Sequence, residues 1–153
     1  MRLTLLFLLL FQFANAQRTD SEVYTYSPGV TFTVVRITHA KTTEYGNGMD
    51  GRRYIAPSGM HFKGAILEFK NDSGENVIID FEQVFLIDSK GEKHKVESVV
   101  QSMKVTNTLE KLRQKLKAGK EKMFIVDFWP AFSKEDMVTK MIVNGQEVIF
   151  SYR

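Results

Sequence analysis

One stretch of the chain, residues 61–94, constrains the fold more than any other. Two runs in it, Phe62 to Phe69 and Val77 to Ile87, are rich in the β-branched and aromatic residues that favour strands. They are followed by Asn71-Asp-Ser-Gly74 and Asp88-Ser-Lys-Gly91, whose residue types suit turns. Because two strands alone are not stable in water, the stretch predicts an all-β protein in which the rest of the chain covers this strand pair.

Residues 1–16 predict a cleaved signal peptide. Arg2 supplies a positive start, Leu3 to Phe13 an apolar run, and Ala14 and Ala16 the small residues of a cleavage site. The alternative is a membrane anchor, but the apolar run is about eleven residues long, whereas a spanning helix needs roughly twenty. We therefore expect an exported protein, periplasmic or extracellular, whose mature chain begins at Gln17.

The chain contains no cysteine, so a disulfide is impossible. Small secreted domains usually rely on disulfides, and a chain without them is typical of a bacterial exported protein that is stabilised by its core. Residues 17–28 are polar and without periodicity, which predicts an N-terminal arm, and residues 29–153 have the length of one domain. A formal charge of +3 does not suggest a nucleic-acid partner, and no motif implies a cofactor.

Further strands are predicted on both sides of the central stretch. Val30 to Thr38 alternates between apolar and polar residues but changes phase after Val34, which indicates an edge strand with a bulge. Met123 to Trp129 also alternates, and Pro130 ends it because proline cannot donate to a ladder.

The last part of the chain predicts a helix and a hairpin. Asn107 to Gly119 contains leucines at positions 109, 112 and 116 on one helical stripe, with a possible cap at each end. Asn144-Gly145 favours a type I′ turn, and strand-like residues flank it from 137 to 152. We therefore expect a β-sandwich of about seven strands with one short inserted helix.

The longest loop is the best candidate for a binding site. Lys41 to Met60 has four glycines and no sustained period, and loops of this length are usually functional or disordered. It contains Tyr45, Arg52, Arg53 and Tyr54, and tyrosine and arginine are the residue types that anchor recognition surfaces. These four residues are the predicted binding residues, and a merely long connection is the alternative.

Metal binding and catalysis have weaker support. His39, His61 and His94, with Met60, offer the ligand types that copper prefers, but their spacing matches no metal motif. There is no cysteine nucleophile, no Gly-x-Ser-x-Gly elbow and no serine in a recognisable relation to a histidine. We therefore expect no metal site and no catalytic residues.

Two other surfaces are candidate binding sites. Lys111, Arg113, Lys115 and Lys117 lie on the polar side of the predicted helix and suit anionic lipid or acidic glycan, although a solvated helix face has the same pattern. Trp129 beside Pro130 suits a sugar-stacking platform, but a large aromatic residue at a strand end more often packs in the core or at its rim.

Strand-end and turn motifs carry a resemblance to a known family. They are Phe69-Lys-Asn-Asp-Ser73, Val84-Phe-Leu-Ile-Asp-Ser-Lys-Gly91, Leu116-Lys-Ala-Gly119 and Phe124-Ile-Val-Asp-Phe128. From 29 to 152 the order of elements resembles a secreted bacterial immunoglobulin-like family of unknown function, similar in fold to the immunoprotective extracellular antigens. Ala118 departs from the proline that this family commonly has before glycine. The resemblance implies an immunoglobulin-like β-sandwich and no catalytic residues.

The leading functional hypothesis is a non-catalytic exported binding module for a protein or glycan partner. The first alternative is a structural accessory protein of the cell envelope, and a small enzyme or a copper-binding protein is the second. Exposed aromatic residues grouped with arginines would favour binding, whereas an exposed apolar strand edge would favour assembly. A deep pocket with convergent titratable groups would favour an enzyme.

Overall fold

The structure is a computed structural model that describes residues 16–44, 53–101, 104–106 and 112–153. Most of the predicted signal peptide lies outside these residues. The described residues contain one short 3-10 helix, Phe81–Gln83, and strands that we number in chain order. The strands are β1 (Ala16–Arg18), β2 (Val23–Ser27), β3 (Val30–Ala40), β4 (Thr42–Glu44), β5 (Arg53–Ile55), β6 (Met60–Asn71), β7 (Val77–Asp80), β8 (Val84–Ile87), β9 (Lys93–Gln101), β10 (Lys104–Thr106), β11 (Arg113–Leu116), β12 (Glu121–Trp129), β13 (Phe132–Ser133), β14 (Lys140–Val143) and β15 (Gln146–Ile149).

The strands form an all-β sandwich. The largest sheet follows the order β1-β3-β6-β12-β9-β8-β14-β15, and β2, β10 and β13 pair at its sides. Thr19 forms a bridge with Tyr152, and the backbone N–H of Asp20 donates to the carbonyl oxygen of Ser151 at 3.0 Å. The chain after β15 therefore returns to the first strand, and the sheet folds back on itself around one core.

The core follows from the period of two in the strands. In β12, Phe124, Val126 and Phe128 are buried, whereas Met123 and Ile125, at the alternate positions, are exposed, because successive side chains of a strand point to opposite faces. The buried positions of the neighbouring strands meet these residues in one apolar cluster. A group of phenylalanine rings with centroids 5.1–6.0 Å apart lies within it: Phe32, Phe69, Phe81 and Phe124.

The prediction of about seven strands is wrong, because the described residues contain many more. The predicted single run from Val77 to Ile87 is two strands, since the 3-10 helix at Phe81–Gln83 interrupts it. Residues 17–28, expected to form an arm, contain β2 and part of β1, both of which pair with β3. Buried Thr19 and Tyr26 fix this segment to the core.

The central stretch and the first predicted strand have other neighbours than we expected. β6 pairs with β3 and β12 rather than with the strands that follow it in sequence. The bulge in β3 is confirmed, between Val34 and Arg36. The expectation that β3 is an edge strand is wrong, because β1 and β2 cover its free side.

The helix predicted over 107–119 is wrong for the residues that the structure describes. Arg113–Leu116 is β11, which pairs with β7, and residues 107–111 lie outside the described part. A spacing of four residues also places side chains on one face of a strand, so Leu112 and Leu116 are both buried without a helix. The leucine spacing alone fits either a helix or a strand. Pairing with β7, which is distant in sequence, selects the strand.

The C-terminal hairpin is confirmed. β14 and β15 pair antiparallel with Val143 opposite Gln146. Asn144 and Gly145 have φ of 50° and 78°, which are the positive values that a type I′ turn requires at both central positions.

Candidate functional site

A cleft of about 690 Å³ lies at one end of the sandwich, where β6 begins and β12 ends. We call it the end cleft. One part of its lining, which we call the aromatic wall, is formed by Tyr54, Phe62 and Trp129 with smaller apolar residues. Another part, the turn wall, is formed by the turn that starts at Asp88, by His94 and by residues 132–136. The volume lies within the range of ligand pockets in proteins.

The aromatic wall is a layered group of rings. Phe62 in β6 and Trp129 at the end of the neighbouring β12 stack with centroids 5.7 Å apart and planes inclined by 18°. Tyr54 contacts Trp129 edge-on, at 5.8 Å and 70°. Phe62 is 3% exposed, whereas Tyr54 is 40% exposed. The wall therefore has a rigid buried base and an accessible upper part.

Tyr54 reaches this wall because part of the predicted loop is a strand ribbon. β4 and β5 pair antiparallel, with Thr43 opposite Tyr54. The ribbon is fixed at its base, since the backbone N–H of Ala56 donates to the carbonyl oxygen of Lys41 at 2.9 Å. The Lys41 Nζ atom also donates to the carbonyl oxygen of Pro57 at 2.8 Å. The loop is therefore anchored to the sandwich next to the cleft.

The turn wall is held by Asp88. Its Oδ1 atom accepts from the backbone N–H groups of Lys90 and Glu92 at 2.9 and 2.8 Å. Its Oδ2 atom lies 3.4 Å from Nε2 of His94. Burial alone raises the pKa of the Asp88 carboxyl, but the hydrogen bonds from Glu92, His94 and Lys90 together outweigh it and lower the pKa below its ordinary value.

His94 links the turn wall to the end of β12. Its Nδ1 atom lies 2.8 Å from the carbonyl oxygen of Pro130, and because a carbonyl oxygen only accepts, Nδ1 is the donor of this hydrogen bond. Its ring stacks on that of Phe132, with centroids 3.7 Å apart. His94 is therefore buried and held by Pro130, Asp88 and Phe132. It fixes the turn wall to the end of β12.

A buried lysine lies behind the turn wall. Lys63 is 1% exposed, and its Nζ atom lies 3.3 Å from Nδ1 of His39 and 5.8 Å from the centre of the Phe132 ring. Burial lowers the pKa of Lys63, and the Asp136 carboxylate opposes that change. Burial, the Lys63 charge and His61 lower the pKa of His39 to about 4. At neutral pH the His39 ring is therefore uncharged and accepts from the Lys63 ammonium group.

The candidate metal ligands do not assemble into a site in the described part of the chain. His39 contacts Lys63, and His94 is held by Pro130, Asp88 and Phe132. In residues 16–44, 53–101, 104–106 and 112–153 there is no group of three or more metal-ligating side chains that could hold an ion.

The four predicted binding residues have different outcomes. Tyr54 lines the end cleft, and the Arg53 backbone lies beside it in β5. Tyr45 and Arg52 lie outside the described residues. Binding at these positions stays a prediction.

Sequence reasoning missed the rest of the cleft. Phe62 and Trp129 are far apart in the chain and meet only through the pairing of β6 with β12. The one sequence signal is the position of an aromatic residue at a strand end, as at Trp129. Of the alternative basic patch, Arg113 lies in β11, where its Nε atom is 3.3 Å from Asp80 Oδ2 and 3.4 Å from Glu82 Oε2.

Two solved structures have TM-scores above 0.5 with this chain, and a third matches it more weakly. A conserved hypothetical protein from Bacillus anthracis is 15% identical, covers 90% of this chain and 95% of its own, and has a TM-score of 0.56. A functionally unknown protein from Listeria monocytogenes is 10% identical, covers 82% and 72%, and has a TM-score of 0.51. A secreted protein from Mycobacterium tuberculosis is 11% identical, covers 90% and 92%, and has a TM-score of 0.43.

The first two of these structures are functionally uncharacterised and share the β-sandwich fold of this chain. The expected β-sandwich is thereby confirmed. No protein-family model and no curated protein matches the sequence. In the part of the chain that the structure describes, no helix has the length and apolar character to cross a membrane.

Proposed function

We propose that this protein is a non-catalytic, exported binding module whose ligand site is the end cleft. The observation that carries the proposal is the aromatic wall, in which Trp129 stacks on buried Phe62 and contacts exposed Tyr54. Rigid aromatic surfaces at the edge of a pocket provide contact area at low entropic cost.

The hydrogen bonds of Asp88 and His94 support a structural role for this pair rather than catalysis by it. The Asp88 carboxylate is occupied by two backbone N–H groups and by His94, and the other nitrogen of His94 faces the Pro130 carbonyl oxygen. General acid–base catalysis needs a group that can reach the reacting atom. Both groups instead hold the walls of the cleft in place.

Closure of the sheet supports binding over assembly by strand addition. The bridge between Thr19 and Tyr152 joins the two ends of the main strand order. Strand addition requires unpaired backbone groups along an exposed edge. At this seam, residues of the chain itself occupy backbone groups that an added strand would need.

The experiment uses Trp129, which is the sole tryptophan of the chain, so its fluorescence reports on the cleft. A panel of neutral oligosaccharides, short cationic peptides and anionic vesicles is titrated into the mature protein. We expect at least one class to shift the emission. Calorimetry should then show that Trp129→Ala or Tyr54→Ala weakens binding by about tenfold or more, as expected for a central aromatic anchor.

Met123→Ala is the matched control, because Met123 is an exposed residue in the same strand as Trp129. It lies six positions away, about 20 Å along an extended strand. Binding that Met123→Ala leaves unchanged and Tyr54→Ala weakens supports the proposal. A panel without any binder, or a binder that is insensitive to both cleft variants, refutes it.

A further inference from the structure

The charge of the end cleft is opposite to that of the chain. The protein has 21 lysines and arginines against 18 aspartates and glutamates, so its net charge is positive. The described residues that line the cleft include four carboxylates and one lysine: Asp88, Glu92, Glu135, Asp136 and Lys90. A concave surface with an excess of one sign of charge concentrates ligands of the opposite sign.

Two of these carboxylates have structural partners and two do not. Asp88 accepts from backbone N–H groups of its own turn. Asp136 Oδ1 accepts from the backbone N–H of Ser89 at 3.0 Å. The side chains of Glu92 and Glu135 are exposed and make no hydrogen bond or ion pair with any other residue in the described ranges. The cleft therefore presents two carboxylates that are available to a ligand.

The aromatic wall selects the kind of cation. The faces of aromatic rings attract cations, and the guanidinium group of arginine is preferred because it is planar and weakly hydrated. A carboxylate binds the same group through two parallel hydrogen bonds. A lysine ammonium is more strongly hydrated and does not stack.

We propose that the end cleft binds an arginine side chain of a partner polypeptide, with an apolar neighbour of that arginine on the aromatic wall. This inference rests on the proposed function and specifies its ligand. Glu92 and Glu135 pair with the guanidinium group, and Tyr54 and Trp129 contact its plane and the adjacent apolar residue. A cavity of about 690 Å³ accommodates one such side chain and its neighbours.

The test uses a blocked pentapeptide, acetyl-Gly-Leu-Arg-Leu-Gly-amide, and the same peptide with citrulline in place of arginine. Citrulline keeps the size and planarity of the side chain but removes its charge. Trp129 fluorescence and calorimetry measure binding to the mature protein. We expect the arginine peptide to bind at least about tenfold more tightly than the citrulline peptide, and less tightly as salt rises.

The charge of the cleft is tested with Glu92→Gln and Glu135→Gln together. Because both side chains are exposed, this double variant should fold normally. It should weaken binding of the arginine peptide by about tenfold, the combined effect of two exposed ion pairs. The matched control is Glu75→Gln with Glu147→Gln, which makes the same change in net charge outside the cleft and should leave binding unchanged.

The outcomes separate this inference from the proposed function. Equal binding of the arginine and citrulline peptides, or undiminished binding by the Glu92→Gln, Glu135→Gln variant, overturns the inference. If Tyr54→Ala still abolishes binding in that case, the cleft remains a binding site. An oligosaccharide or vesicle that binds through Tyr54 while the arginine peptide does not also overturns the inference and supports the cleft. Absence of any binder refutes both.

Discussion

Gly64 in β6 lies directly opposite Asp127 in β12, and no side chain larger than hydrogen fits between them. A Cβ atom at Gly64 would lie 2.9 Å from Asp127 Oδ1, 2.6 Å from Thr38 Oγ1 and 2.8 Å from the Val126 carbonyl oxygen. Ser98 Oγ donates to Asp127 Oδ2 at 3.0 Å. Burial raises the pKa of the Asp127 carboxyl, and the Ser98 hydroxyl opposes that change. A polar row thus crosses four neighbouring strands at Gly64.

Gly64→Ala is expected to destabilise the protein by about 1–3 kcal/mol, because the added methyl group overpacks a closed site. Urea unfolding followed by circular dichroism measures the change. Thr38→Ala combined with Gly64→Ala should recover little of the loss, since the Val126 carbonyl oxygen is backbone and cannot be removed. An unfolding midpoint equal to that of the wild type would show that the strands separate easily here.

Asn71→Ala is expected to cost about 2–3 kcal/mol, because several hydrogen bonds of a buried side chain are lost together. Its Nδ2 atom donates to the carbonyl oxygens of Glu75 and Leu116 at 2.7 and 3.1 Å, and its Oδ1 atom accepts from the backbone N–H of Ser73 at 3.0 Å. Asn76→Ala, which removes one exposed bond to Ala118, is the control and should cost less than about 1 kcal/mol. Equal losses in urea unfolding would contradict this assignment.

Stability should fall as the pH is lowered from about 6.5 to about 4, and His39 should carry part of that slope. The pKa of His39 is about 4 in the fold, against an ordinary pKa of 6.5 for histidine. The unfolded chain therefore binds more protons across this window, and the folded state loses stability as pH falls. His39→Gln should flatten the slope of unfolding free energy against pH. A slope identical to that of the wild type would mean that His39 protonates freely in the fold.

Alanine at Tyr45, Arg52, Arg53 and Tyr54 together should leave folding intact and reduce ligand binding by about tenfold or more, because it removes the accessible ring of the aromatic wall. Circular dichroism and titration of the arginine peptide measure the two effects. Undiminished binding by the folded variant would exclude the ribbon as part of the binding site for this peptide.

Several local predictions from the sequence were correct because the responsible physics acts over a few residues. Asn144-Gly145 predicted the hairpin, since few residue pairs accept positive φ at both positions of a turn. Asp88 predicted the next turn, since its carboxylate reaches the backbone N–H groups two and four residues later. The shift in alternation after Val34 predicted the bulge in β3.

The predictions that were wrong required distant information. Leu112 and Leu116 fit a helix and a strand equally well, and the presence of β7 alongside selected the strand. The sequence around Thr19 and Tyr26 does not indicate burial. Thr19 is buried where the sheet closes against Tyr152, and Tyr26 is buried in the core. The candidate site shows the same division between local and distant information. Tyr54 was predicted from its own loop, whereas the contact between Phe62 and Trp129 depends on strand pairing.

By itself, the sequence determined that the chain is all-β and where many of its strands bend or turn, since period-two patterns and turn residues impose their geometry locally. Only the tertiary structure decided which strands are neighbours, that Thr19 meets Tyr152, and that the aromatic wall lines one cleft together with exposed Glu92 and Glu135. The reason is that strand pairing joins residues of any separation in sequence. A side chain's partners, and hence its burial and charge environment, are therefore set by the whole sheet.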